Sequence, residues 1–332
     1  MHLELAVPAM FRAPAAAPVA APALELLLAR ARRAAGNPGT LEVWYRDHFA
    51  LQGQPLPAGA LTALAYGQAP GSETWLRADP VHLRADRDRL LLLPSAGFDV
   101  TAEEASALCA GLNQHFSEQF TLHAFSPERW GLRASTAMAL HTRPPIELAG
   151  RNVDGELPDQ RWHALLNEIQ MALYQHPVNT AREARGAAVI NSLWPWGSGP
   201  LPAATRGPWQ SVSADDPVAL GLARLAGMRH RPAGSGAAEW LERAPEDGRH
   251  LIVLDSLRGA AALQDGESLA AALRLLEERW FAPLLAALRA GRIGMITLQV
   301  PEAGTSFETL RGDLRRFWRR PQPLAAYREA EA

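Results

Sequence analysis

HPVNTAREARGAAVINSLWPWGSG, residues 176–199, crowds hydrogen-bonding side chains, two arginines, two tryptophans and three glycines into one segment. Arg182 and Arg185 present planar forks of donors matched to carboxylate and phosphate, with His176 and Asn179 close by in the chain. Trp194 and Trp196, separated by Pro195 and followed by Gly197, offer two aromatic faces for stacking on a ligand or partner. The segment therefore has the make-up of an anion-recognising site, or of what remains of one. Each residue also has a plainer use: His176 and Asn179 can cap a helix, the arginines can be ion-paired, and the tryptophans can plug a gap between packed elements while Asn191 pins the loop backbone.

On either side of this stretch the pattern is one of long helices and apolar strands. Residues 160–174 predict a helix and 187–193 an apolar strand. Residues 217–226 predict a helix stopped by Gly227, 250–254 a strand running into Asp255, 267–289 one long amphipathic helix, and 292–300 a buried-type strand closed by Pro301. At the other end, residues 3–7 predict an opening strand, 8–22 an irregular Pro/Ala-rich connection, and 23–35 a helix stopped by Gly36, Asn37, Pro38 and Gly39. Helices alternating with continuous apolar strands indicate an α/β layered fold around a mostly parallel sheet. Residues 72–145 differ. Short strands at 74–77, 82–84, 89–93, 120–124 and 130–133 surround a helix at 101–114 that opens with a Thr101 cap and two glutamates. They are expected to form an inserted α+β domain, with 1–71 and 146–332 as the two parts of the α/β core. No internal repeat is visible.

The 332 residues, 48% apolar and 20% charged, suit a globular protein with a sizeable core, and a formal charge of -2 argues against non-specific binding to nucleic-acid backbones. All 33 basic residues are arginine, which excludes a lysine Schiff base and a Walker-type phosphate loop. Cys109 stands alone, so an intrachain disulfide and a cysteine zinc site are excluded and a reducing cytoplasm is the expected location. The first residues lack a basic start, and Glu4, Arg12 and several prolines interrupt any apolar run, so no signal peptide is expected. No stretch approaches the roughly 20 apolar residues needed to span a bilayer, and no membrane partner is expected.

The segment 176–199 resembles a stretch of the archaeal-type cofactor-independent phosphoglycerate mutases, which have a similar His-Pro-Val-Asn, an arginine a few residues on, and an Asn…Trp-x-Trp-Gly-x-Gly loop. Residues 84–113 (RADRDRLLLLPSAGFDVTAEEASALCAGLN) are similar to the cap-domain stretch of those enzymes, and residues 211–236 (SVSADDPVALGLARLAGMRHRPAGSG) to their later helix and glycine turn. Within this superfamily the chain looks most like the RpfE-type regulatory proteins. The resemblance spans about residues 72–290 and implies an alkaline phosphatase-like layered core with an inserted cap. It also implies chemistry that the chain does not supply. The family needs a serine to carry the phosphoryl group and two divalent metals held by Asp and His, because a hydroxyl is a poor nucleophile until a cation lowers its pKa. Here the first Asp is Asp47, the first Ser is Ser72, and the first hydroxyl of any kind, Thr40, lies beyond the opening strand and helix. Asp255 matches a metal-binding Asp of the family, yet no histidine follows His250, and Gln299, Val300, Pro301 and Glu302 stand where the family has an Asp-His pair.

Two further clusters are charged. Arg77, His82, Arg84, Arg87 and Arg89 interleave with Asp79, Asp86 and Asp88 and are expected to form a solvated strand face. Residues 311–320, RGDLRRFWRR, have the make-up to touch nucleic acid, an acidic protein or a membrane surface, but are expected instead to be an amphipathic terminal helix docking Phe317 and Trp318 on the core. The sequence thus predicts a regulatory or binding pseudoenzyme with no catalytic residue, no metal and no cofactor. Its ligand-binding set is His176, Asn179, Arg182, Arg185, Asn191, Trp194, Trp196 and Asp255. The expected partner is an anionic metabolite or a protein rather than nucleic acid. A divergent mutase or phosphatase is the alternative.

Overall fold

The computed structural model describes residues 1–12, 19–51, 55–136, 140–156, 160–244 and 247–327. In chain order the strands are β1 (His2–Ala6), β2 (Arg32–Ala35), β3 (Trp75–Asp86), β4 (Arg89–Pro94), β5 (Phe120–Ser126), β6 (Arg129–Ala134), β7 (Ser192–Gly199), β8 (Ser211–Ala214), β9 (Arg229–Arg231), β10 (Arg249–Val253), β11 (Met295–Val300) and β12 (Thr305–Leu310). The helices are α1 (Pro22–Arg30), α2 (Leu41–His48), α3 (Ala58–Ala65), α4 (Ala102–His115), α5 (Gln160–Tyr174), α6 (Pro177–Ala184), α7 (Pro217–Leu225), α8 (Ala237–Arg243), α9 (Arg258–Ala262), α10 (Gly266–Leu276) and α11 (Ala282–Ala290). The chain forms two compact units, Met1–Gln52 with Ala204–Ala332, and Gly53–Ala203.

The first unit is a mixed α/β layer built on a seven-stranded sheet in the order β2-β12-β11-β1-β10-β8-β9. The strands β11, β1, β10, β8 and β9 run parallel; at one edge β12 pairs antiparallel with β11, and β2 antiparallel with β12. Leu3, Leu5, Ile252, Ile296 and Leu298 are buried in one core with Phe281, Leu284 and Leu288, as expected where helices cover a parallel sheet. Glu4 is the exception: a fully buried carboxylate on the central strand. It accepts from Trp209 Nε1, Arg249 Nη2 and Gln299 Nε2, each at 2.8 Å, so its burial is compensated.

Two predicted helices are shorter than their spacing suggested. The helix expected over 23–35 ends at Arg30, and residues 32–35 become the edge strand β2. The helix expected over 267–289 is interrupted between α10 and α11 by a π-turn, Glu277–Phe281. That turn buries Glu277, whose carboxylate accepts the Ala23 and Leu24 amides at 2.6 and 3.1 Å. Alanine precedes α1 and supplies no side-chain cap, so Glu277 supplies the anion this helix start needs. Glu277→Ala is expected to cost about 1–3 kcal/mol in chemical denaturation, by leaving two buried amides unpaired. A neutral result would mean that the carboxylate does not stabilise this helix start.

The second unit takes in residues 72–145 together with the flanking segments from 53 to 203. Its five-stranded antiparallel sheet has the order β4-β3-β6-β5, with β7 also pairing with β3. The strands expected at 74–77 and 82–84 are one twelve-residue strand, β3. Trp130, Leu76, Leu108, Leu112, Trp162, Ile169 and Leu193 pack into this unit's core. Gly59 lets α3 approach β3 closely, since a Cβ there would lie 2.4 Å from the Leu76 backbone.

Candidate functional site

The stretch 176–199 lies in the second unit and is tightly engaged with it. His176 caps α6, its Nδ1 accepting the Val178 amide at 3.2 Å. Asn179, 4% exposed, donates from Nδ2 to the Leu173 and Ile190 carbonyls at 2.8 Å each and accepts the Ile190 amide at 2.9 Å. Arg182, 1% exposed, donates to the Ala188 carbonyl at 2.7 Å, the Asp99 carbonyl at 2.8 Å and the Glu104 carboxylate at 2.6 Å. Half-exposed Arg185 pairs with the same carboxylate. Glu104 also closes a capping box with Thr101 at the start of α4. Burial pushes the Glu104 carboxyl up, but the Arg185 hydrogen bond, the Thr101 amide and the charges of Arg182 and Arg185 hold it below its ordinary range.

The Trp-Pro-Trp-Gly run is a strand, not a loop, and no strand forms over 187–191. Pro195 is tolerated there because, among the described strands, β7 has only β3 as a partner and loses no second ladder. Asn191 extends the pairing, accepting the Leu83 amide at 2.7 Å and donating to the Leu83 carbonyl at 2.8 Å. Trp194 and Trp196 are buried, with Trp194 Nε1 donating to the Arg143 carbonyl at 2.9 Å and Trp196 Nε1 to Asp79 Oδ2 at 2.8 Å. Asp79 Oδ1 takes Arg77 at 2.9 and 2.7 Å and the Trp130 amide at 3.2 Å. The Arg77 guanidinium lies 5.2 Å from the Trp196 ring. Arg77 and Asp79 therefore leave the solvated face expected of them, while Arg84, Arg87 and Arg89 are exposed as that pattern requires. Two positions apart on a strand, Arg77 and Asp79 share a face, and here that face is inward.

Asp255 belongs to the first unit, just past β10 at the carboxyl edge of the parallel sheet. Asp216 follows β8 and Glu302 follows β11 at the same edge, where α/β folds hold their ligands. Glu42 and Tyr45 of α2 and Arg258 of α9 join them. Arg258 Nη2 donates to both Glu42 oxygens, at 2.8 and 3.0 Å. Tyr45 donates its hydroxyl proton to Asp216 Oδ2 at 2.8 Å, and Asp216 Oδ1 caps α7 by accepting the Val218 amide at 3.1 Å. Glu302 Oε2 accepts the Ala9 amide at 3.1 Å, and Ala9 has the left-handed φ of 61° that a residue other than glycine seldom adopts.

The electrostatics of this edge centre on Arg258. Burial alone would push the Glu42 carboxyl up, but the charge and hydrogen bonds of Arg258 reverse that and leave it below its ordinary range. Arg258 itself is held protonated by Glu42, with Asp216 and Asp255 adding to the effect against desolvation. Burial, then Asp216 and Asp255, push the Tyr45 phenol well above its ordinary range. Burial raises Glu302 as well. The edge thus offers carboxylates, one permanent cation and a phenol kept protonated. Val7, Pro8, Ala9 and Met10, which leave β1 at this edge, carry no nucleophile. Among the described residues no three His, Cys, Asp or Glu side chains converge as metal ligands, so this donor set does not fit a two-metal centre. Cys109 is buried and its thiol is pushed up to about 12 by desolvation, far from a reactive thiolate.

Neither a protein-family model nor a curated protein matches the sequence. The fold is similar to that of the PH0037 protein from Pyrococcus horikoshii. The two chains are 13% identical, with 93% of this chain and 87% of that one covered at a TM-score of 0.56, which is a likeness of fold alone. The cofactor-independent phosphoglycerate mutase from Thermoplasma acidophilum DSM 1728 is also a structural neighbour. It is 16% identical over 93% of this chain and 89% of its own, at a TM-score of 0.39 that is too low to carry weight.

Glu42, Tyr45, Asp216 and Arg258 were not among the residues singled out from sequence. Asp216 and Arg258 do have a signal, each lying within five residues of the carboxyl end of a parallel strand. Glu42 and Tyr45 have a weaker one, the i, i+3 spacing that puts both on one face of a short helix.

Proposed function

We propose that this chain is a non-catalytic regulatory or binding protein, of RpfE type, on a phosphoglycerate mutase-like scaffold. The observation that carries this reading is the Arg258–Glu42 pair at the carboxyl edge of the sheet. Phosphoryl transfer from a hydroxyl needs cations that lower a pKa and neutralise phosphoryl oxygens as Lewis acids. A guanidinium fixed on Glu42 in the field of Asp216 and Asp255 supplies charge without Lewis acidity, and Tyr45 is kept protonated. The sequence resemblance supplies the mutase-like scaffold, and the missing serine and histidines point the same way. In this reading Asp255 with Arg258 forms the recognition surface, while Asn179, Arg182, Asn191, Trp194 and Trp196 hold the second unit in shape, with His176 capping α6 and Arg185 on its rim.

The test is interconversion of 2- and 3-phosphoglycerate, and hydrolysis of a generic phosphomonoester, with Mg, Mn, Co or Zn supplied in turn. No metal-dependent turnover above the uncatalysed background is expected. Turnover that depends on metal and disappears with Asp255→Asn would establish the divergent mutase or phosphatase instead.

A further inference from the structure

The expected terminal helix over 311–320 does not form. A short 3-10 turn, Arg311–Arg315, is followed by irregular chain, and Phe317 and Trp318 stand in solvent at 79% and 66% exposure. The physical reason is local. Asp313 accepts the Leu310 amide and pairs with Arg316, closing the turn, and Pro321 and Pro323 prevent a helix from continuing. The two rings lie 5.4 Å apart and nearly perpendicular, at 81°, forming one apolar knob. Paired exposed rings of this size usually mark a contact surface.

The knob is ringed by positive charge. Arg311, Arg315, Arg319 and Arg320 are exposed, and the only acid in 311–320, Asp313, is buried. Arg319 donates to the Ala31 carbonyl at 2.7 Å and Arg316 to the Arg30 carbonyl at 3.4 Å, which moors the knob to the end of α1. Arg315 and Arg320 have no ion-pair partner among the described residues. This local excess of cations runs against the formal charge of -2 for the whole chain.

We propose that Phe317 and Trp318, with Arg315, Arg316, Arg319 and Arg320, form a peripheral anchor for an anionic lipid surface. Aromatic rings sit at the boundary between headgroups and acyl chains, and the flanking guanidiniums meet lipid phosphates. A single nucleic-acid strand fits less well, because two perpendicular rings cannot both stack on successive bases. No helix among the described residues is long and apolar enough to cross a membrane, which bears on spanning and not on surface attachment. The expectation of no membrane partner rested on the lack of a spanning stretch and on Phe317 and Trp318 docking on the core, which they do not do.

The test is co-sedimentation of the full chain with phosphatidylglycerol/phosphatidylcholine vesicles, with pure phosphatidylcholine vesicles, and retention of a fluorescent oligothymidylate. Binding to the anionic vesicles alone is expected, weakening as salt is raised. F317S/W318S should abolish it, and R315Q and R320Q should each weaken partitioning about fivefold. All these side chains are exposed, so the variants should melt with the wild type. Three results would each overturn the proposal: no sedimentation with anionic vesicles, sedimentation unchanged by F317S/W318S, or retention of the oligonucleotide in preference to vesicles.

Discussion

Arg258→Ala is expected to destabilise the first unit by about 3–5 kcal/mol at neutral pH, because it leaves the Glu42 carboxylate largely buried and unpaired. The pH dependence distinguishes this cause from lost packing. In the native protein Glu42 titrates below its ordinary range, so the pair contributes above the unfolded pKa, and that contribution fades as pH falls through the folded one. In the variant burial, the largest influence, is opposed only by the Thr40 side chain and a backbone hydrogen bond, and the Glu42 pKa rises. The variant is then penalised above the unfolded pKa and recovers as protonation neutralises the acid. The stability gap should be widest near pH 7 and should shrink markedly by about pH 4. A double variant, E42Q/R258M, should recover most of the loss by removing both charges. Urea denaturation across that pH range reads all three outcomes, and a gap independent of pH would mean that Arg258 acts through packing.

Arg182→Ala is the second large effect, again about 3–5 kcal/mol, this time in the second unit. Three contacts vanish together: the Ala188 and Asp99 carbonyls lose a buried donor, and Glu104 keeps only Arg185 as an ion-pair partner. Arg182→Lys should not restore stability, since one ammonium cannot span partners on three sides of a guanidinium. A side chain held ready for an anionic ligand behaves in the opposite way. It commonly burdens the ligand-free protein, and its removal would be neutral or stabilising. Denaturant midpoints for the alanine and lysine variants therefore separate a framework arginine from a ligand-binding one.

Those two arginines also show how far the sequence could be read. Arg182 drew attention through its neighbours, but nothing local reveals that Glu104, 78 positions away, is its partner. The Thr101–Glu104 capping box was legible because both partners lie within one helical turn. The apolar strands that became β1, β10 and β11 were legible for a similar reason, since burial on both faces leaves a continuous run. Trp194-Pro195-Trp196-Gly197 reads as a loop because proline and glycine punctuate turns, and only the pairing with β3 makes it a strand. Glu277 lies in a helical pattern whose one breaker is Pro283, and nothing local reveals that its carboxylate meets the start of α1, about 250 residues earlier. At the carboxyl edge Asp255 could be picked out by its place after an apolar strand. Glu42 and Tyr45 arrive there from a separate helix, by a route that only the tertiary fold specifies.

The most direct test of the central claim is the metal content of the full chain, measured by inductively coupled plasma mass spectrometry. The protein is first equilibrated with Mn and Zn and then freed of loosely held ions by gel filtration. Because the guanidinium of Arg258 is the resident cation at the sheet's carboxyl edge, retained metal should be far below one ion per chain. Two tightly held ions per chain, lost on Asp255→Asn, would contradict the account.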